Sequence, residues 1–426
     1  MALFMGEKEC EMISYFTKVV RDTGFKGLVS NDICFSIANV PAMFQMQTIA
    51  WHPYFAHPNY VNGKQIVSGD SALVAASISA YRFFDKPLFI NEYNHVMWNQ
   101  FRHEGTIRYA TLAALQNWSA FFPHSDAVFP MEEPMSPFAI SQDPVWRGQM
   151  TIAYFAFSRG DLKSNPRRVG IEITKKDMET KGATGISYST GALGWLTQYG
   201  MCYNDDAEAK ANSVDLRLGP SGEYRQRDKA VEDDKLLNMS QIVQQLRRLR
   251  ILPAKNRTDT RKGIYQSGSG EVLLDTDKNE ITVVSPQLEM CVVKTDHPMP
   301  MGAATLKSAG IPVGLAVVSL DENSPLAKAG RILLVVTTDA LNSGQTFTSD
   351  KRLEQVDKGR LPVLLRCGKF EFTLNNPMSS PKLYALNMAG DRIESIPVAA
   401  KDGQLHFTID TTKLKEPAVF FELTGE

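Results

Sequence analysis

The sequence predicts a mixed fold, an α/β region followed by an antiparallel β-sandwich, and two observations predict it. Up to about Asp161, helical stripes alternate with short apolar strands, which is typical of βα units. From about Pro166, short alternating segments are separated by Gly, Pro, Asn and Asp turn signals. We therefore expect two regions, residues 1–163 and residues 164–426.

The first region contains four predicted strands, each followed by a helix or by a loop that leads to one. Asp143 followed by Pro144 is typical of a helix N-cap and first turn. The predicted strands span residues 26–30, 48–54, 88–92 and 119–123, and the predicted helices span residues 7–23, 41–47, 71–84, 105–118 and 143–159.

Polar and aromatic side chains cluster where these strands end. Asn31 follows the first strand, His52 and Tyr54 end the second, Glu92 ends the third, and residues 118–124 surround the fourth. In (β/α) barrels and in open α/β sheets alike, sites are built at this end of the strands. Glu92 is the most informative of these residues, because a carboxylate at the tip of a buried strand must be paired, hydrogen-bonded or used in catalysis.

The second region is predicted to be an antiparallel β-sandwich with a helical interlude near residues 234–252. Three arginines, Arg247, Arg248 and Arg250, lie near the C-terminus of that helix, where the helix dipole favours them. They indicate either an anion or partner site or a solvated helix end, and the second interpretation is favoured. The predicted strands include residues 169–174, 280–285, 314–320, 331–337, 362–367, 382–387 and 405–409.

Length and charge limit the classes of function. A chain of 426 residues is long enough for two or three domains. The 46 Lys and Arg residues balance the 47 Asp and Glu residues, so the formal net charge is −1 and no long basic stripe is present. This balance argues against nucleic acid or an anionic membrane as a partner and favours a neutral substrate. No segment approaches the roughly 18–20 apolar residues of a membrane-spanning helix.

Cysteine usage and the first residues bear on the compartment. The five cysteines are scattered and form no CxxC pair, so we expect free thiols rather than a disulfide framework. No signal peptide is predicted, because the apolar run at the start is short and acidic residues follow at once.

Two segments carry a resemblance to a known family. WHPYF (residues 51–55) and FINEYNH (residues 89–95) resemble the sixth- and seventh-strand signatures of clan A glycoside hydrolases, cellulase-like retaining enzymes on a TIM barrel. The downstream Asp143-Pro144 helix and the predicted sandwich fit the same pattern. The resemblance implies the C-terminal half of a (β/α)8 TIM barrel, strands five to eight, in residues 1–163, followed by an antiparallel β-sandwich in residues 164–426.

By this resemblance Glu92 is the catalytic nucleophile. In such an enzyme a carboxylate attacks the anomeric carbon and forms a glycosyl-enzyme intermediate, while a second carboxylic acid protonates the leaving oxygen. Tyr54 matches the tyrosine that hydrogen-bonds the nucleophile and keeps it ionised, and His52 lines the same pocket. The structural alternatives are a paired carboxylate for Glu92 and a loop cap for His52.

Three more residues are candidate substrate contacts. Trp118 could offer its ring face to a pyranose, although a core aromatic is the alternative. Asn31 could bind sugar hydroxyls, and Trp98 lies on the loop after the nucleophile, where it could shape a subsite. These expectations rest on position relative to the strand ends.

A metal site is the competing chemistry. Five of the seven histidines fall in the α/β region, but His103-Glu104 is not followed by a second histidine at the fourth position, as a zinc-binding HExxH helix requires. We therefore expect neither a metal nor a cofactor. The five histidines are His52, His57, His95, His103 and His124.

The sequence departs from the family at the acid/base. The family carries this residue on an Asn-Glu pair at the end of strand four, whereas the first strand here already resembles strand five. Glu7, Glu9 and Glu11 precede that strand on a helix and cannot be assigned to the role. The resemblance thus implies that about four of eight βα units are missing. Unpaired strand edges would then favour either a missing N-terminal half-barrel or a self-association partner.

Two functions follow from the sequence. The first is a retaining glycoside hydrolase that cleaves O-glycosidic bonds in a polysaccharide or oligosaccharide, with Glu92 as nucleophile and the acid/base outside this chain. The alternative is a non-catalytic remnant that binds carbohydrate or a partner. The resemblance also suggests an extracellular or periplasmic location.

Overall fold

The structure is a computed structural model that describes residues 1–32, 36–55, 72, 76–95, 97–124, 133–138, 141–181, 185–186, 188–203, 214–225, 236–293 and 297–425. Within these residues no helix is long and apolar enough to span a membrane. The four described cysteines, Cys10, Cys202, Cys291 and Cys367, are free thiols, as the sequence predicts. Cys34 and His57 lie outside the described residues.

The first region alternates helices with parallel strands. At the N-cap of the last helix, Asp143 accepts a hydrogen bond from the backbone N–H of Val145 at 3.0 Å, which confirms the predicted cap. Of the predicted helix 71–84, the described part includes a short 3-10 turn, Ile78–Ala80. The elements are α1 (Ala2–Asp22), β1 (Ser30–Asp32), α2 (Val40–Gln45), β2 (Thr48–Trp51), β3 (Tyr54–Phe55), β4 (Leu88–His95), α3 (Gly105–Gln116), β5 (Ala120–Pro123) and α4 (Pro144–Ala153), which continues as a π-helical turn (Tyr154–Ser158).

Four of these strands form a parallel sheet in the order β1-β2-β4-β5, which is also their order in the chain. The short β3 pairs in parallel with the end of β4. Ile49 and Ile90 are almost fully buried within the sheet, as expected for a parallel sheet that is covered on both faces. Because the strands are parallel, the residues that follow β2, β4 and β5 meet at one edge.

The segment after the first region differs from its prediction. Residues 168–225 were expected to begin an antiparallel sandwich, but β6 (Arg168–Ile173) pairs in parallel with both β7 (Gln198–Tyr203) and β8 (Leu216–Leu218). Among the described strands of this sheet, β9 (Tyr224–Arg225) alone is antiparallel, against β8. Two short helices, α5 (Lys175–Lys181) and α6 (Leu193–Leu196), lie between β6 and β7. Parallel strands need such a crossover, and the local pattern of β6 does not reveal it.

The helical interlude is shorter than predicted. It forms α7 (Met239–Arg248), which begins at Asn238 because the Asn238 side chain and the Gln241 side chain each bond the other's backbone N–H at 3.0 Å. Arg247 donates to the carbonyl of Thr258 at 2.5 Å. Arg247 therefore contacts the loop that follows the helix.

The rest of the chain is antiparallel β-structure, as the sequence predicts. A nine-stranded sheet has the order β10-β11-β12-β13-β16-β17-β27-β23-β24, a five-stranded sheet has the order β14-β15-β22-β26-β25, and two pairs join β18 to β21 and β19 to β20. The strands are β10 (Ile264–Gln266), β11 (Val272–Asp275), β12 (Glu280–Val284), β13 (Leu288–Val293), β14 (Met299–Pro300), β15 (Ala304–Ala309), β16 (Val313–Ser319), β17 (Arg331–Thr337), β18 (Ala340–Ser343), β19 (Thr346–Phe347), β20 (Gln355–Asp357), β21 (Arg360–Leu365), β22 (Lys369–Asn375), β23 (Lys382–Leu386), β24 (Arg392–Ile396), β25 (Val398–Lys401), β26 (Gln404–Asp410) and β27 (Phe420–Thr424).

The centre of the nine-stranded sheet is buried on both faces. It consists of continuous apolar runs in β16 and β17, which predict strands covered on both sides. One face packs on the alternating apolar residues of β22 and β26. The other face receives α4, where a Cβ at Gly148 would lie 2.8 Å from the Thr337 methyl group, so the glycine allows the close approach. One apolar cluster therefore extends across residue 163, and the domain boundary there stays a prediction.

Candidate functional site

Glu92 lies on β4 just beyond Ile90, the last residue that β4 pairs with β2. Between Ile90 and Tyr93 the register with β5 shifts, so β4 carries one more residue than β5 at this point. Such a bulge re-aims a side chain, and bulges are over-represented beside active sites. The Glu92 side chain is 33% exposed. A ligand in solvent can therefore reach this carboxylate.

Tyr54 contacts Glu92 directly. Tyr54 stands opposite Asn94 in the parallel pair of β3 and β4, and its hydroxyl donates a hydrogen bond to Glu92 Oε2. Burial, together with this hydrogen bond and the charge of Glu92, raises the pKa of Tyr54 well above its ordinary value. Tyr54 therefore stays protonated at neutral pH and remains a donor. The contact that the family resemblance implies is present.

His124 is a third member that the sequence analysis did not select as a site residue. Its backbone N–H donates to the carbonyl of Tyr93 at 2.8 Å, which fixes it beside β4 directly after the end of β5. Its Nδ1 lies 3.7 Å from Glu92 Oε2. The position of His124 at the end of the fourth predicted strand is visible in the sequence. The strand register that brings it to Glu92 is a tertiary feature, which the sequence does not show.

The two described partners of Glu92 lie at the same oxygen. Tyr54 and His124 both face Oε2, and no described residue donates a hydrogen bond to Oε1. Both oxygens of a carboxylate carry lone pairs. Among the described residues, the arrangement therefore holds one oxygen and places no donor on the other.

Three rings cluster beside this carboxylate. The ring centroids of His124 and Phe138 lie 5.4 Å apart, those of Tyr54 and His124 lie 5.9 Å apart, and those of Tyr54 and Phe138 lie 6.3 Å apart, all edge to face. Edge-to-face packing is a favoured aromatic geometry. Phe138 is only partly buried. Phe138 lies in a segment between elements that has no periodicity, so no sequence pattern indicates it as a site residue.

Two predicted site residues are close to this group in the chain. His52 is partly buried in the turn between β2 and β3, but the described polar contacts of Glu92 are with Tyr54 and His124 and not with His52. The backbone of Asn31 pairs with Ile49 in β1, and its side chain lies outside the described residues. The roles of both stay predictions.

The structure corrects the two tryptophan expectations. Trp118 is 3% exposed and belongs to the main apolar core, since it follows the left-handed cap at Asn117 and folds back beneath α3. Trp98 is 7% exposed and packs in a small cluster with Met135 and Val145. A sugar needs an accessible ring face. Both residues are therefore core aromatics, and the alternative weighed for Trp118 holds.

Metal chemistry finds no support among the described side chains. No group of three or more His, Cys, Asp or Glu residues in that part of the chain could hold a metal ion. His103 is buried on the 3-10 turn Arg102–Glu104, away from solvent, and the side chain of His95 lies outside the described residues.

Comparisons with known proteins give one weak structural similarity and no sequence match. No family model matches the chain, and no curated protein matches it. Among solved structures, it is similar to the catalytic domain of the GH30 xylanase C from Talaromyces cellulolyticus, with 7% sequence identity and a TM-score of 0.24. The similarity covers 98% of this chain and 56% of that catalytic domain. The chain thus spans just over half the length of that domain, and an overlap this weak does not establish a shared fold.

Proposed function

We propose that the chain is part of a retaining glycoside hydrolase and that Glu92 is its nucleophile. The observation that carries the proposal is the pair of Glu92 oxygens at the carboxyl edge of a parallel sheet, one held by Tyr54 and the other without a donor among the described residues. Clan A resemblance in residues 51–55 and 89–95 supports the same role for these two residues.

The order of the parallel strands supports a half-barrel. In a (β/α) barrel, consecutive strands are neighbours all the way round, whereas an open doubly wound sheet reverses its order at a switch point. The order β1-β2-β4-β5 shows no reversal. The proposal therefore takes these four strands as strands five to eight of a barrel.

The chemistry proceeds in two displacements. Oε1 of Glu92 attacks the anomeric carbon, the bond to the leaving oxygen breaks, and a glycosyl ester forms on Glu92. An aryl group leaves with the bonding electrons as a phenolate. Water then attacks the same carbon, the bond from that carbon to Oε1 breaks, one water proton passes to solvent, and the carboxylate is regenerated. Tyr54 keeps its proton throughout and donates to Oε2 whenever that oxygen carries charge. No described residue is assigned as the acid/base.

An activated substrate tests the proposal without needing the acid. Aryl glycosides with good leaving groups, in a panel of glucosyl, xylosyl, galactosyl and mannosyl forms, should be turned over by the chain, and Glu92→Gln should abolish that turnover. Glu322→Gln is the matched control, because Glu322 is exposed in the connection between β16 and β17. Azide should restore aryl release in Glu92→Ala and yield a glycosyl azide of inverted configuration. Turnover that survives in Glu92→Gln would contradict the proposal, and binding of sugars without any turnover would favour the non-catalytic alternative.

A further inference from the structure

An arm of the antiparallel region contacts segments that lie close to Glu92. Residues 340–365, which we call the arm, lie between β17 and β22 in the chain and form two strand pairs of their own. Arg102 donates a hydrogen bond from Nη2 to the carbonyl of Ala340 at 2.9 Å. The first strand of the arm, β18, is therefore docked on the α/β region. Ala340 shares an apolar cluster with Met97, Trp98, Met135 and Val145.

Asn342 of the arm binds the backbone of Met135. Its Nδ2 donates to the carbonyl of Met135 at 2.8 Å, and its Oδ1 accepts from the N–H of Met135 at 2.9 Å. The same Nδ2 donates to the carbonyl of Lys358 at 2.8 Å. Both amide hydrogens of Asn342 are thus used, and a flipped amide would set oxygen against two carbonyls. Asn342 is 2% exposed, so water does not compete for these bonds.

This side-chain amide takes the place of a neighbouring strand. Residues 133–138 form neither helix nor strand, so no ladder among the described residues pairs the backbone groups of Met135. Met135 is nevertheless 1% exposed, and buried backbone groups are almost always hydrogen-bonded. Asn342 supplies both partners, one for the N–H and one for the carbonyl. It therefore fixes where Met135 lies.

The link from Met135 to Phe138 is short and stiff. It consists of Ser136-Pro137, in which the proline ring fixes one backbone dihedral and restricts the residue before it to extended conformations. Phe138 packs edge to face against both of the rings that face Glu92, with centroid separations of 5.4 and 6.3 Å. The position of Met135 is thus carried to a ring beside the carboxylate.

We propose that Asn342 is a positioning residue for the candidate site: by holding Met135, it places the Phe138 ring as a wall beside Glu92. Phe138 is partly buried, and the accessible part of an aromatic ring can pack on a sugar ring or an aryl group. The kinetic consequence rests on the function proposed for Glu92, whereas the placement of Phe138 does not. The antiparallel part of the chain then takes part in substrate binding through the arm.

The NMR signals of the His124 ring report the position of Phe138 without any turnover. The two rings lie edge to face, so the ring current of Phe138 acts on the His124 protons. Asn342→Asp keeps the size of the side chain but supplies at most one donor where two are needed. In the full chain with labelled histidines, Asn342→Asp should shift the His124 signals in the same direction as Phe138→Ala does. His124→Gln assigns the signals.

Asn376→Asp is the matched control. Asn376 is also 2% exposed, and its Nδ2 donates to the carbonyls of Leu326 and Ala329 at 2.8 and 2.9 Å. The two substitutions should therefore cost similar stability, while only Asn342→Asp should shift the His124 signals. Unchanged signals in Asn342→Asp, or equal shifts in both variants, would overturn the proposal. If Asn342→Asp does not fold, Asn342→Ser, which keeps one hydroxyl donor, takes its place with the same expected result.

Kinetics on aryl glycosides separate the positioning role from a structural one. Asn342→Asp should lower kcat/KM by at least about tenfold, since a misplacement of about 1 Å can cost about 100-fold, and Asn376→Asp should leave it unchanged. In a Phe138→Ala background, Asn342→Asp should cause no further loss, because both changes act through one ring. A further loss of the same size would overturn the positioning role. A parent chain without turnover would remove the function proposed for Glu92, and the His124 signals would still decide the placement of Phe138.

Discussion

Removing the Tyr54 hydroxyl should slow the regeneration of the Glu92 carboxylate. Tyr54→Phe deletes one oxygen and keeps the ring that packs against His124 and Phe138. A hydrogen bond to a charged group contributes about 1.5–3 kcal/mol. Because Glu92 is 33% exposed and its charge is only partly restored in the transition state, we expect the low end of that range. A barrier increase of about 1.4 kcal/mol corresponds to about a tenfold loss in kcat.

The assay is stopped-flow release of the aryl group from an activated glycoside. If deglycosylation slows, the first turnover stays fast and a burst of aryl product precedes a slower steady state. Tyr384→Phe is the matched control, since it removes the same hydroxyl from β23 of the nine-stranded sheet. An unchanged kcat in Tyr54→Phe, or an equal loss in Tyr384→Phe, would refute the role given to the Tyr54 hydroxyl.

Three further predictions concern stability. Burial lowers the pKa of His103 to about 4, so the unfolded state binds more protons than the folded state between about pH 4 and 6.5. The free energy of unfolding should therefore fall by about 3 kcal/mol as the pH drops through this window. Urea melts at several pH values should show that His103→Phe removes this pH dependence. Arg102 and Asp143 form a buried ion pair, and Arg102→Met should cost about 3–5 kcal/mol because it leaves the carboxylate unpaired; a loss below 1 kcal/mol would contradict the burial. Trp118→Ala should cost about 3–5 kcal/mol in the same melts, with no effect on sugar binding by the remaining folded protein.

Local chemistry made much of the fold predictable. The Asp143-Pro144 pair predicts the start of α4, because the cap is formed by residues adjacent in the chain. The strands near residues 313–319 and 331–337 follow from uninterrupted apolar runs. The parallel pairing of β6 could not be predicted in this way, since its partners lie beyond the helices α5 and α6. An apolar run is equally compatible with a parallel and an antiparallel neighbour.

In the candidate site, too, some residues could be predicted from the local sequence and others depend on tertiary contacts. Glu92 and Tyr54 could be selected because each lies at a strand end, and the structure brings them into contact. His124 reaches Glu92 through the register of β4 with β5, which includes a bulge that no local pattern indicates. Trp118 could not be assigned from sequence, because an aromatic residue at the start of a strand can face either a ligand or the core.

The central claim is that Glu92 forms a covalent bond to the sugar, and trapping that bond tests it most directly. Activated 2-deoxy-2-fluoro glycosides carry a good leaving group and should glycosylate the chain faster than water can release the sugar. Intact mass should rise by one fluoroglycosyl unit, peptide mapping should place the label on Glu92, and Glu92→Gln should remain unlabelled. A label on another residue, or no label in a chain that turns over the parent aryl glycoside, would contradict the account.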